Sequence, residues 1–167
     1  MDLGTLQRPF KERYRAEPGA AMIRLRARGV EGDQPIACSV DLGRAVYQAQ
    51  AHSGVGGAGT AACSGDLLLG ALAACAQLTC QMVATAMAIP FEGPEVSVEG
   101  DLDLRGTLGV AKDVPARFQD VRVRFDVQAP EATPEQLASL IERTGRYCVV
   151  LQTLVQPPPV RTEGPPS

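Results

Sequence analysis

Residues Ser64 to Ile89 read SGDLLLGALAACAQLTCQMVATAMAI, a run with one charged side chain, Asp66. From Leu67 to Ile89 the run would make about 35 Å of helix at 1.5 Å per residue, which is long enough to cross a bilayer. Composition argues against a span. Gln77, Thr79, Gln81 and Thr85 interrupt it, alanine dominates, and no Lys, Arg, Trp or Tyr flanks it closely. Ser64 suits an N-cap, Asp66 complements the dipole of a first turn, and Pro90 closes the stretch. The expectation is a helix enclosed on most sides by sheet and by another helix, its alanines permitting close approach.

Around this helix the periodicity is that of strands. AMIRLRARG sets Ile23, Leu25 and Ala27 against Arg24, Arg26 and Arg28, which predicts a half-buried strand. Ile36, Cys38 and Val40 alternate after a VEGD turn, and AVYQAQA gives a weaker third strand. Beyond the helix, EVSVEGDLDLRG and QDVRVRFDV alternate apolar and charged residues as two long antiparallel strands with one wet face. TPEQLASLIER carries Thr133 as N-cap, Pro134 at N1 and Gln136 at N3, a capping box. The fold class is α+β with antiparallel pairing, in one domain over residues 1–155. Both ends read as tails. The Pro-rich residues 156–167 are expected to be extended or disordered.

Charge and composition exclude several functions. A net charge of −3 gives no footprint for nucleic acid, and seven aromatic residues in 167 supply no stacking platform. The first residues have no apolar segment behind a basic one, so no signal peptide is expected and the chain is placed in the cytoplasm, with no membrane partner. Five cysteines, an odd number, fit a reducing compartment. With no C-x-x-C pair and a single histidine, His52, no metal site and no cofactor are expected.

A cysteine in a buried helix is ordinarily inert packing. Cys80, five residues beyond Cys75, points to a different helix face. Cys38 alternates inward on its strand, and Cys63 precedes the N-cap. Nothing in the pattern alone lifts any of the five from that reading.

Two segments do so through a resemblance. SGDLLLGALAAC, ending at Cys75 and preceded by GVGGAG, resembles the signature of the OsmC/Ohr family of hydroperoxide-reducing proteins, in its OsmC-like branch. LIERTGRYCVVLQTL resembles that family's C-terminal segment, where a helix precedes a second cysteine, here Cys148. The likeness runs roughly from Ala20 to Leu154. It implies antiparallel sheets packed around a long central helix, an intertwined homodimer, and sites at the dimer interface. It also implies that Cys75 attacks an organic hydroperoxide and becomes a sulfenic acid, that Cys148 condenses with it to a disulfide, and that a dithiol reductant, of lipoyl type as a family expectation, restores both thiols.

Such chemistry needs a thiolate. At a pKa of about 8.5 only about 3% of a thiol is ionised at pH 7, against roughly 90% at a pKa near 6. Cys75 lies beyond the reach of its own helix dipole, so a cation is expected from elsewhere, held by a carboxylate. The family's well-characterised peroxidases carry a glutamate ten residues before the reactive cysteine. Gly65 stands there in this chain, and the acid follows at Asp66, which serves equally as a helix-start residue. Arg28 and Arg44 are the candidate cations, and His52 lies in the loop where some members place theirs. Val149 follows Cys148 where proline is common. The site residues are therefore Cys75, Cys148, Asp66 and Arg28. The alternative is a non-catalytic dimer of the same fold, binding a small apolar ligand or acting as a slow redox sensor.

Overall fold

The structure, a computed structural model, describes residues 3–32, 37–43 and 45–164. Ile36 and Arg44, named above for a strand and a cation, lie outside the described residues. The elements are α1 (Leu3–Ala16), β1 (Arg28–Glu31), β2 (Ala37–Asp41), β3 (Val46–Gln50), α2 (Ser64–Ala86), β4 (Glu92–Leu102), α3 (Leu104–Thr107), β5 (Phe118–Gln128), α4 (Pro134–Tyr147) and α5 (Val149–Val155). The fold is α+β, as its periodicities require. The chain divides into two compact units, residues 1–70 with 98–123, and residues 71–97 with 124–167.

In the first unit β1, β2 and β3 form an antiparallel sheet in that order, with Cys38 opposite Glu31 on one side and Ala49 on the other. Only Ala49 of this sheet is fully buried. The alternating segment before it does not behave as expected. The strand begins at Arg28, and Ile23 and Leu25 are 75% and 84% exposed. Alternation gives a strand its period, but a strand also needs a partner, and among the described residues none pairs with residues 22–27. The N-terminus, read as a tail, is helix α1. Leu3, Leu6, Phe10 and Tyr14 recur at helical spacing on it, and the last three are exposed. After β3, a loop turns tightly enough that a Cβ on Gly57 would fall 1.6 Å from the Ala51 carbonyl oxygen, so only glycine fits. On the β4–β5 ribbon of this unit Arg122 bridges Asp101 (2.5 Å) across the strands and Asp120 (2.6 Å) along its own.

The second unit holds the larger core. Cys80, Val83 and Ala84 from α2 pack with Ile89, Ala129 and Leu140, and Phe125, Val127 and Leu137 close around them. The buried positions on α2 here are Leu72, Ala76, Thr79, Cys80, Val83 and Ala84, one face at helical spacing. The opposite face carries Leu78 at 59% and Met82 at 41% exposure. The helix is thus enclosed on one side rather than on most sides, and although it is long and apolar enough to cross a membrane, its contacts are those of a core helix. Gln77, one of the polar interruptions, donates to the Pro94 carbonyl. α4 begins with the expected capping box, Thr133 and Gln136 each satisfying the other's backbone N–H. Beyond Gln156 the described residues have no helix or strand.

α2 ends at Ala86, three residues before the expected end. The Ile89 N–H reaches back to the Ala84 carbonyl (3.0 Å) and the Ala88 N–H to that of Thr85 (3.1 Å), a Schellman closure. Its pivot is Ala88, at φ 53°, a left-handed conformation that costs a non-glycine residue about 1 kcal/mol. Ala88→Gly should therefore raise unfolding stability by a few tenths to about 1 kcal/mol, a gain of several degrees in thermal denaturation.

Candidate active site

Cys75 and Cys148 both belong to the second unit. Cys75 lies mid-way along α2 and is half-buried. Cys148 is fully buried. It has extended backbone (φ −72°, ψ 105°) and serves both as the C-cap of α4 and as the residue before α5. This one non-helical residue separates the two helices. Its N–H donates to the Thr144 carbonyl and its carbonyl accepts from the Gln152 N–H, both at 2.9 Å. The Gln152 amide also donates to the Gly145 carbonyl at 2.9 Å, tying α5 back to α4.

The break has a consequence for Cys75. The first N–H groups of a helix have no partner within it. The N–H groups of Val149 and Val150, at the start of α5, are directed to the Cys75 sulfur, as are the Cys148 thiol and the Thr79 hydroxyl. Burial is the largest single influence on Cys75 and opposes its ionisation. The four donors together outweigh it, and the thiol is held below its ordinary pKa. Cys148 moves the other way. Burial pushes its thiol up, and the Cys75 sulfur that it donates to pushes it further, more than the Leu151 and Val150 N–H groups offset. The two neighbouring thiols are thus moved in opposite directions, Cys75 down and Cys148 up.

Two of these donors, the Val149 and Val150 N–H groups, come from a second helix, a source the sequence reading did not consider. Thr79 was legible in principle, being a polar residue one turn beyond Cys75 in an apolar run. The Val149 and Val150 contributions come from the backbone and leave no side-chain signal.

Cys80 is buried at the core, its thiol pushed up by desolvation against a weaker opposing contact from the Thr144 hydroxyl. It is packing. Thr144, also buried, donates to the Leu140 carbonyl at 2.8 Å.

The other two site candidates belong to the first unit. Ser64, expected as N-cap, is the first residue of α2. The cap falls to Cys63, whose N–H donates to Asp66 Oδ2 at 2.8 Å. That backbone contact, then the Cys63 thiol, holds Asp66 below the usual carboxylate range. Burial opposes this slightly and His52 assists. Asp66 therefore secures the start of its own helix. Arg28 is exposed on β1, opposite Asp41 in the register. His52 accepts the Gly54 N–H on Nδ1 (3.0 Å) and, with Cys63 and Asp66, lines a cavity of about 250 Å³. Cys38 is half-buried on β2. Among the described residues no cluster of His, Cys, Asp and Glu could hold a metal ion.

Thiol labelling tests the electrostatics. Below the pH at which an ordinary cysteine ionises, iodoacetamide should label Cys75 well ahead of Cys148. Thr79→Val should shift the Cys75 labelling profile to higher pH by several tenths of a unit, and Thr79→Ser should restore it. Identical profiles for wild type and Thr79→Val would remove the hydroxyl from this role.

The architecture has known counterparts. An OsmC-like protein from Mycoplasma pneumoniae superposes with a TM-score of 0.68 at 15% identity, over 81% of this chain and 89% of that one. An organic hydroperoxide resistance protein from Elizabethkingia anophelis gives 0.62 at 16% identity, over 82% and 91%. One from Legionella pneumophila, also named OsmC, gives 0.60 at 16%, over 81% and 92%. At these identities the likeness is one of fold. No curated protein matches the sequence closely enough to count as a relative. The family model described as OsmC-like protein matches residues 57–163, which include both α2 and the α4–α5 segment. The chain belongs to the OsmC-like family.

Proposed function

We propose that this protein is a thiol-dependent peroxidase for organic hydroperoxides. The observation that carries the reading is the hydrogen bond between two thiols, the buried Cys148 and the half-buried Cys75, far apart in sequence. Structural counterparts named as organic hydroperoxide resistance proteins support it.

In the proposed cycle the Cys75 thiolate attacks the terminal oxygen of R–O–OH. The O–O bond breaks, its electron pair leaves with R–O⁻, and that alkoxide takes a proton to become the alcohol. Cys75 is left as a sulfenic acid. The Val149 and Val150 N–H groups that stabilise its sulfur also stabilise the anionic form of that product. The Cys148 sulfur then displaces the hydroxyl from Cys75, its own proton leaving in the water formed, and a disulfide results. A dithiol reductant in a reducing, cytoplasmic compartment returns both thiols by exchange. The leucines, valines and alanines around α2 favour an apolar R group.

The working unit is a homodimer. Leu78 and Met82 on the open face of α2, and the sheet that buries only Ala49, are surfaces that a monomer leaves in water and a second copy covers.

Two measurements test this. One equivalent of cumene hydroperoxide per subunit should reduce the five free thiols to three within seconds, with Cys75 joined to Cys148 in the peptide map. Cys75→Ser should abolish turnover, and Cys148→Ser should trap an oxidised Cys75. Five thiols remaining would favour the non-catalytic alternative. In sedimentation the protein should run at twice its 17.6 kDa chain mass, and Leu78→Asp with Met82→Asp should yield the monomer.

A further inference from the structure

The cavity at the start of α2 has no part in the cycle above. It lies wholly within the first unit, and neither Cys75 nor Cys148 lines it. Its floor is apolar, made by Leu69, Leu102, Leu104 and Phe118. Two glycines admit the aromatic ring. A Cβ on Gly100 would come within 2.7 Å of the Phe118 ring, and one on Gly65 within 3.3 Å of it. The volume of about 250 Å³ is below the range of pockets for drug-sized ligands, which restricts an occupant to about one ring with short branches.

The rim supplies the polar groups. His52 uses Nδ1 to accept the Gly54 N–H, so its ring proton sits on Nε2, which remains free to donate. Asp66 accepts the Cys63 N–H and thiol, and a carboxylate has acceptor sites beyond those two. His52 and Asp66 both line the rim without being among the ion pairs of the described residues. The rim thus offers one donor and one acceptor with space between them. A hydroxyl matches both, its oxygen accepting from Nε2–H and its proton going to the carboxylate. A carboxylate ligand would meet the charge of Asp66, and an ammonium, having no acceptor, would leave the imidazole N–H unmatched.

We infer that this cavity is a binding site for a small apolar molecule carrying one hydroxyl group, an aryl or branched-alkyl alcohol. The match does not depend on Cys75. Under the peroxidase reading, the alcohol released by O–O cleavage is a ligand of this class.

Cys63, half-buried on the rim, reports occupancy. In the reduced full chain, saturating cumyl alcohol, which is no oxidant, should slow iodoacetamide labelling of Cys63 at least about fivefold and leave Cys38 unchanged. Cumene has the same body without the hydroxyl and should protect several-fold less at equal concentration, as the loss of its hydrogen bonds requires. Leu102→Trp, which fills the floor, should abolish the protection. Unchanged labelling of Cys63, equal slowing at Cys38 and Cys63, cumene protecting as well as cumyl alcohol, or protection surviving in Leu102→Trp would each overturn the inference. No peroxide is used and Cys75 is not read, so the outcome is separate from the thiol count.

Discussion

The second unit depends on a single interrupted helix. If α4 continued through Cys148 into α5, the N–H groups of Val149 and Val150 would be spent on carbonyls of the preceding turn. Because Cys148 adopts extended backbone, a new helix begins, and its first N–H groups must find partners elsewhere. They find the Cys75 sulfur. The break therefore places the second thiol and frees two of the donors that stabilise the first. Gln152, bonded to the Gly145 carbonyl, holds the two helices in that relation.

The proposed chemistry rests on an imbalance between two otherwise similar groups. Both cysteines meet desolvation that opposes ionisation. Cys75 receives four donors and Cys148 gives its own proton to one of the contacts. Asymmetry of this kind is what a two-cysteine redox cycle requires, since one sulfur must attack and the other must wait. Cys80, only five residues from Cys75 in sequence, lacks that balance. Cys80 is buried with a single compensating hydroxyl from Thr144.

The first unit is organised around the start of the same helix, but with different chemistry. Asp66 is engaged with Cys63 at the helix start, and His52 faces it across the rim of an apolar cavity. Carboxylate, imidazole and thiol are here gathered with Asp66 between the other two. That order does not make the imidazole a base for the thiol. It makes a polar rim suited to recognition rather than to bond-breaking.

Sequence determined the elements whose signal is local. The capping box at Thr133, the alternation of β4 and β5, and the apolar run of α2 depend on period and end chemistry, and all are present in the structure. The segment Ser64–Cys75 and the segment around Cys148 also carried the family. Tertiary structure decided what depends on partners. The Ile23–Ala27 alternation forms no strand because no neighbour among the described residues pairs with it, and the helical stripe of α1 was hidden in a segment rich in charge. The backbone share of what lowers the Cys75 pKa could not be read from side chains. It resides in backbone N–H groups 73 or more residues away in sequence, whose availability depends on where one helix stops and the next begins.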